Sequence, residues 1–369
     1  MAETPTHGRA HAERLAAWLT TTRPDDLSPE VRHTAERLLL DVSGLCVAAR
    51  GADYVAATLE SVDRGGRCTA LGHGGSYDAF GAALVNGTAA HGEDFDDTFE
   101  GGPVHSGAVV VPAVLAACER EGLGGDRALI GIATGTELMC RLSLVAPKGA
   151  HTAGFHPTAV FGALAAAGGV ASALGLSAEH ATSALGIAGS MAAGIIEYLA
   201  EGTWTKRMHA GWAAQSGLRA ALMARGGFLG PRTVLEGTHG FYKAFAPSVT
   251  PNYAPLIEGL GQTWVMDTVA FKPYACGTMT QPFVDCAIEL AERGVGADDI
   301  QTIVCDVGEG TVHRLWEPLA VKHRPPTPYA AKFSTPYCVA VGFMDRRAGF
   351  AQFTEARIDR KSTRLNSSH

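Results

Sequence analysis

Five short segments of this 369-residue chain concentrate polar and ionisable residues inside otherwise apolar or glycine-rich sequence. The first, Asn86–Thr98, ends in Gly-Glu-Asp-Phe-Asp-Asp-Thr and packs four acids into five positions. A calcium loop is a natural thought, but the alternating acids and the distal glutamate of an EF-hand are missing. A solvated acidic loop is the plain alternative. The second and third segments, Gly101–Gly107 and Gly154–Thr158, present His105 and His156 just ahead of apolar helical patterns. A helix N-terminus favours an anion and lowers the pKa of a nearby histidine. A lone histidine is usually structural; two placed alike point more to chemistry. The fourth, Glu201–His209, sets Lys206 and Arg207 at the start of a helix, where the macrodipole disfavours cations unless an anionic ligand sits there. Ordinary surface charge is the alternative. The fifth, Phe271–Gly277, carries Lys272 at a predicted strand end beside a predicted domain boundary, where clefts form. Together they supply the groups needed for proton transfer beside substrate carboxylates. No Gly-x-Ser-x-Gly elbow and no Walker A loop is present.

The elements that must position these residues are mostly helices. Ser28-Pro29-Glu30 reads as an N-cap, a first-position proline and a first-turn acid, opening a helix through Val31–Ala49. Apolar residues at helical spacing predict further helices over His11–Thr20, Tyr77–His91, Ala108–Glu121, Asp126–Arg141, Thr158–Leu174, Ala178–Met191 and Lys206–Arg225. The pattern changes near residue 264. Trp264–Phe271 and Ile300–Val307 read as strands, Thr280–Arg293 and Ser334–Met344 as helices. The fold class that follows is mainly α: a large all-helical domain over 1–265 and a smaller α+β domain over 266–360. The polar end, Lys361–His369, fits no element and reads as a non-native or disordered tail.

Composition narrows the classes of function. A chain 46% hydrophobic and 18% charged is globular rather than disordered. A net charge of −7 provides no global field for nucleic acid, while one cationic pocket would still serve a small anion. Eight cysteines without a CxxC pair, mostly in apolar runs, read as reduced, buried residues of a cytoplasmic protein, with no metal-ligand spacing. The N-terminus has no apolar core of a signal peptide. The uncharged run Thr158–Ala178 imitates a membrane span, but its Ala and Gly content suits a helix buried within a bundle, so no membrane partner is expected.

These segments, in this order, resemble the MmgE/PrpD family, which includes 2-methylcitrate dehydratases, cis-aconitate decarboxylases and iminodisuccinate epimerases. The resemblance covers the chain to about residue 350 and is strongest at His91–Thr98 with His105, Gly154–Thr158, Thr205–His209 and Phe271–Gly277. It implies a helical domain, an α+β lid, a site in the cleft between them, a homodimer, and catalysis without metal or organic cofactor. It assigns Asp94, His105, His156, Lys206 and Lys272 to catalysis and Thr98, Arg207, His209 and Tyr337 to substrate binding. Three departures stand out. Ser106 and Ala275 replace frequent prolines, and members usually continue past the lid, so that domain is expected to be shortened here. The function implied is a cofactor-independent lyase on a small di- or tricarboxylic acid, foremost a 2-methylcitrate-dehydratase-like hydro-lyase. His105 and His156 would be the acid–base pair, Asp94 would orient one of them, and Lys206 and Lys272 would hold carboxylates. The alternatives are a cis-aconitate-decarboxylase-like or iminodisuccinate-epimerase-like enzyme and, more remotely, a non-catalytic helical scaffold.

Overall fold

Helix starts and stops in this chain are set by short-range chemistry. A computed structural model describes residues 8–359. The expected tail Lys361–His369 lies outside the described residues. Ser28 accepts a hydrogen bond from the Val31 amide at 3.2 Å, and Pro29 occupies the first helical position. His156 is the N-cap ahead of Pro157, and Gly175 closes that helix in the left-handed conformation.

The chain divides into two units. One holds the residues up to Gly92 and Asp96–Phe271; the other holds Glu93–Phe95 and the residues from Lys272 onward. In the first unit the helices are α1 (His11–Thr21), α2 (Pro29–Ala49), α3 (Asp53–Leu59), α4 (Ala79–Gly92), α5 (Gly107–Glu121), α6 (Gly125–Val145), α7 (Gly149–Thr152), α8 (Pro157–Leu174), α9 (Ala178–Met191), α10 (Tyr198–Glu201), α11 (Thr205–Arg225), α12 (Phe241–Phe245) and α13 (Ala254–Ile257). Strand β1 is Arg64–Cys68; β2 (Thr98–Phe99) and β3 (Val269–Ala270) pair antiparallel, Thr98 opposite Ala270. The molecule is mainly α.

Helix α8 lies at the centre of this unit, packed against α5, α6, α9 and α11. Every one of its residues from Pro157 to Ala173 is buried. Both α6 and α8 are long and apolar enough to cross a membrane, yet nearly all of each is covered by neighbouring helices. Glycine explains how they come so close. A Cβ on Gly211 of α11 would lie 2.1 Å from the Leu84 carbonyl oxygen of α4, and one on Gly169 of α8 would lie 2.6 Å from the Gly131 carbonyl of α6. Backbone touches backbone at these crossings, which no larger residue permits.

The second unit contains α14 (Gln281–Glu292), α15 (Glu309–Leu315), α16 (Leu319–His323), α17 (Pro328–Ala331), α18 (Thr335–Asp345) and α19 (Glu355–Ile358). Helices α14 and α18 pack on a core that includes Cys276, Val284, Tyr337, Cys338 and Val341.

Several local expectations are corrected. Trp264–Phe271 is a 3-10 turn over Val265–Thr268 followed by only two strand residues. The turn is imposed from α6: the buried Glu137 carboxylate accepts the Met266 amide at 2.9 Å and is itself paired with the buried Arg141. Ile300–Val307 forms no strand; its residues are largely exposed and no other segment among the described residues pairs with it, so β propensity goes unused. All eight cysteines are free, but Cys286 is exposed and Cys305 half-buried rather than buried.

Candidate functional site

Four histidines meet inside the first unit. His91 ends α4, His105 precedes α5, His156 caps α8, and His209 lies in the first turns of α11. The rings of His91 and His105 are 5.2 Å apart between centroids, those of His91 and His156 are stacked at 5.4 Å, and those of His156 and His209 are 5.4 Å apart. Tyr198 closes one end, edge-on to His156 and His209. Helix α11 packs on both α4 and α8, which brings His91, His156 and His209 together, and His105 reaches them from the loop ahead of α5.

Every ring has a polar partner, and Asp96 bears on two of them, its Oδ1 lying 3.8 Å from His105 Nδ1. His91 Nδ1 donates to Asp96 Oδ2 at 2.6 Å, with both side chains fully covered. Its Nε2 is buried and has no hydrogen-bond partner among the described residues. His105 Nδ1 lies 2.6 Å from the Asp97 carbonyl oxygen. A carbonyl can only accept, so Nδ1 carries the proton and the lone pair of the neutral ring is on Nε2. The His105 amide donates to Thr158 Oγ1 at 3.2 Å, tying the loop to α8. The Nδ1 atoms of His156 and His209 are 3.2 Å apart, one donating and the other accepting.

The acidic segment is not a solvated loop. Asp94, Asp96 and Asp97 are all buried. Asp97 accepts from the Ser106 amide, the Ser106 hydroxyl and the Gly107 amide at 3.0, 2.9 and 2.8 Å, so it caps α5 and sets the loop carrying His105. Proline at position 106 could supply neither of the two Ser106 bonds, which gives the departure at that position a physical role. Burial, and next the charge of Asp96, push the Asp97 carboxyl up to about 7 against these donors.

The electrostatics favour anions. Burial first, then the neighbouring His91 and Lys206, lowers His156 well below the ordinary histidine value and brings His209 down to about 4. Both imidazoles are therefore neutral at neutral pH. A bound carboxylate would offset the positive neighbours and draw protons onto the rings.

The remaining sequence-expected residues are placed as follows. Arg207 stacks on Tyr54 at 4.4 Å and near Trp204 at 5.9 Å, lining a cavity of about 320 Å³ with Leu84, Thr88 and Met208. Thr98 belongs to the short β2–β3 ladder. Lys272 and Asp94 lie in the second unit, where the Lys272 ammonium donates to the Asp94 carbonyl at 3.1 Å and approaches its carboxylate at 3.5 Å. Asp94 has a left-handed φ of 55°. Tyr337 is also in this unit, buried, with its hydroxyl donating to the Gln352 carbonyl at 2.6 Å and pushed up to about 12 by burial.

Sequence reasoning passed over four residues that the structure brings into these groups. His91, Asp96 and Asp97 were quoted within the acidic segment but given no role. Their signal was a histidine at the end of an apolar helix, followed five positions later by an acid. Lys332 was missed altogether: 2% exposed, its ammonium donates to the Glu93 carbonyl and to Glu93 Oε2 at 2.7 Å, a bond that spans 239 positions. Nothing local marks such a residue. Among the described residues, no group of three or more His, Cys, Asp or Glu side chains is arranged to hold a metal ion.

Comparison with known proteins follows the same division of the chain. The model of the MmgE/PrpD N-terminal domain matches residues 13–254, and that of the MmgE/PrpD C-terminal domain matches residues 274–365. Among similar proteins, the cis-aconitate decarboxylase-like protein oryM of Aspergillus oryzae is 32% identical over 288 residues, covering 73% of this chain and 59% of that protein. The cis-aconitate decarboxylase of Aspergillus terreus is 30% identical over 365 residues, covering 92% of this chain and 73% of its own. The Homo sapiens cis-aconitate decarboxylase is 32% identical over 298 residues, covering 77% and 59%. The chain thus spans about three-fifths of the length of the first and third of these relatives. With both domain models matched in order and more than half of the chain accounted for, this protein belongs to the MmgE/PrpD family.

Proposed function

We propose that this protein is a lyase acting on a small unsaturated tricarboxylic acid, releasing one carboxylate as CO₂. The observation that carries the reading is the row of four touching imidazoles with Lys206 beside it. A buried, proton-handling, anion-favouring cluster is what a carboxy-lyase needs, and a helical scaffold has no use for it. The relatives named as cis-aconitate decarboxylases favour decarboxylation over the dehydration that sequence motifs alone put first. Epimerisation draws on the same groups and is the less supported alternative.

In the proposed reaction the bond from carbon to the departing carboxylate breaks. Its electron pair moves into the conjugated skeleton and onto a remaining carboxylate, and a proton is added to carbon. His105 is the assigned proton donor in its imidazolium form: the Asp97 carbonyl holds its Nδ1–H, a proton taken up from solvent at Nε2 passes to carbon, and the ring returns to neutral. His156, His209 and Lys206 are the proposed carboxylate-binding residues, and the resemblance adds Lys272 to them. A homodimer, expected from the resemblance, remains part of this proposal.

The test is direct. The purified protein is incubated separately with cis-aconitate, 2-methylcitrate and iminodisuccinate. CO₂ release, ultraviolet absorbance of new double bonds, and chirality of recovered substrate are followed. CO₂ from cis-aconitate is expected. New unsaturation from 2-methylcitrate without CO₂ would replace the proposal with a hydro-lyase.

A further inference from the structure

Of the four histidines, His91 is the one to which neither the resemblance nor the relatives assign a role. It is also the middle of the row, in ring contact with both His105 and His156. It is 1% exposed, its Nδ1 is bound to the Asp96 carboxylate, and its Nε2 has no partner among the described residues. A polar atom buried this deeply is nearly always hydrogen-bonded, and an orphan among proton-handling groups points to a ligand atom that completes it. A core histidine placed only for packing would need no carboxylate at 2.6 Å.

We propose that His91 is a catalytic residue whose Nε2–H donates to the substrate carboxylate on which negative charge accumulates as CO₂ departs. This rests on the lyase reading above and deepens it. Asp96 pairs the imidazolium form through Nδ1, so Nε2 becomes a charged donor aimed at the developing oxyanion. The division of labour is then chemical. His105, its Nδ1 hydrogen-bonded to a neutral carbonyl and 3.8 Å from Asp96 Oδ1, is charged in turn and passes its Nε2 proton to carbon. His91, bound to a carboxylate, keeps its proton and stabilises charge. The charged and titratable groups that bear on His91 are Asp96, His105, His156 and His209, with Lys206 acting on the last two and Asp97 next to Asp96.

The experiment combines kinetics with imidazole ¹⁵N NMR. His91→Gln and Asp96→Asn are compared with wild type for kcat, KM and the pH dependence of kcat on cis-aconitate. Separately, ¹⁵N-histidine protein is titrated with tricarballylate, a tricarboxylate that has no double bond to rearrange. The expected result is a kcat lower by roughly 10²–10³-fold in His91→Gln with little change in KM, as found when a charge-stabilising donor is removed. Asp96→Asn should fold and show a displaced pH profile. In wild type saturated with tricarballylate, Nε2 of His91 should move to the shift of a protonated nitrogen. The proposal is overturned if His91→Gln keeps wild-type kcat and pH profile. It is equally overturned if His91 Nε2 does not respond, or keeps a bare lone pair, while tricarballylate shifts His105. If wild type releases no CO₂ from cis-aconitate, the lyase reading fails, and the NMR titration still decides whether His91 faces a bound carboxylate. Should His91→Gln not fold, Asp96→Asn and the wild-type titration carry the decision.

Discussion

Acidification should destabilise this protein through His209, and replacing that residue should remove the effect. The ring is held at about 4 by burial and by its neighbours His91 and Lys206, against an ordinary value of 6.5. The unfolded chain therefore takes up a proton between pH 6.5 and 4 that the folded chain refuses, and stability falls as pH falls through that window. Moving from pH 7.5 to pH 5 should cost about 2 kcal/mol from this one group. Asp97 acts in the opposite sense. Its folded value of about 7 lies above the ordinary 3.8, so its contribution is lost as pH rises toward and through 7 and regained as pH falls. The two slopes partly cancel in the wild type, so a single pH curve is uninformative. The comparison with His209→Gln is informative, because Asp97 is common to both proteins. Urea unfolding between pH 7.5 and 5, followed by tryptophan fluorescence, is the assay. Four of the five tryptophans (Trp18, Trp204, Trp212 and Trp264) belong to the first unit and report on it. The wild type should lose about 2 kcal/mol more than the variant across this range. Parallel curves would refute the electrostatic account of the histidine cluster.

Three further outcomes are expected. His105→Gln should lower kcat on the order of 10²–10⁴-fold with a modest change in KM, measured by CO₂ release, because it removes the proposed proton donor. Lys272→Ala should raise KM at least as much as it lowers kcat, since the ammonium is proposed to bind a carboxylate in ground and transition states alike. Gly211→Ala should destabilise the first unit by about 1–3 kcal/mol or prevent its folding, read by thermal denaturation, because its methyl would meet the Leu84 carbonyl at 2.1 Å.

The helical framework was legible because its signals are local. Ser28-Pro29, the Gly122 and Gly175 stops and the apolar run of α8 each act within a few residues of one another. The strand at Ile300–Val307 was misread because β-branched alternation needs a partner that the chain does not provide there. At the site, His105, His156 and His209 could be picked out from glycine-rich or helix-start contexts. The burial of Asp96 and Asp97 could not. An acid-rich segment looks the same whether water or Ser106 and Gly107 satisfy its carboxylates. Lys332 was invisible for a related reason, since its partner Glu93 lies far away along the chain.

The glycine crossing between α4 and α11 has a consequence for how this chemistry tolerates change. A Cβ on Gly87 would lie 2.6 Å from Gly211 Cα, and His91 and His209 sit four and two positions from these glycines on the same two helices. The separation of these rings is thus a ruler made of backbone rather than a choice of rotamer. A single methyl group added at the crossing would displace both rings together without altering any ionisable residue. Activity lost in that way could not be restored by retuning charge or pH. Trimming a side chain on the facing helix would not restore it either, because the atom in the way is the Leu84 backbone carbonyl oxygen.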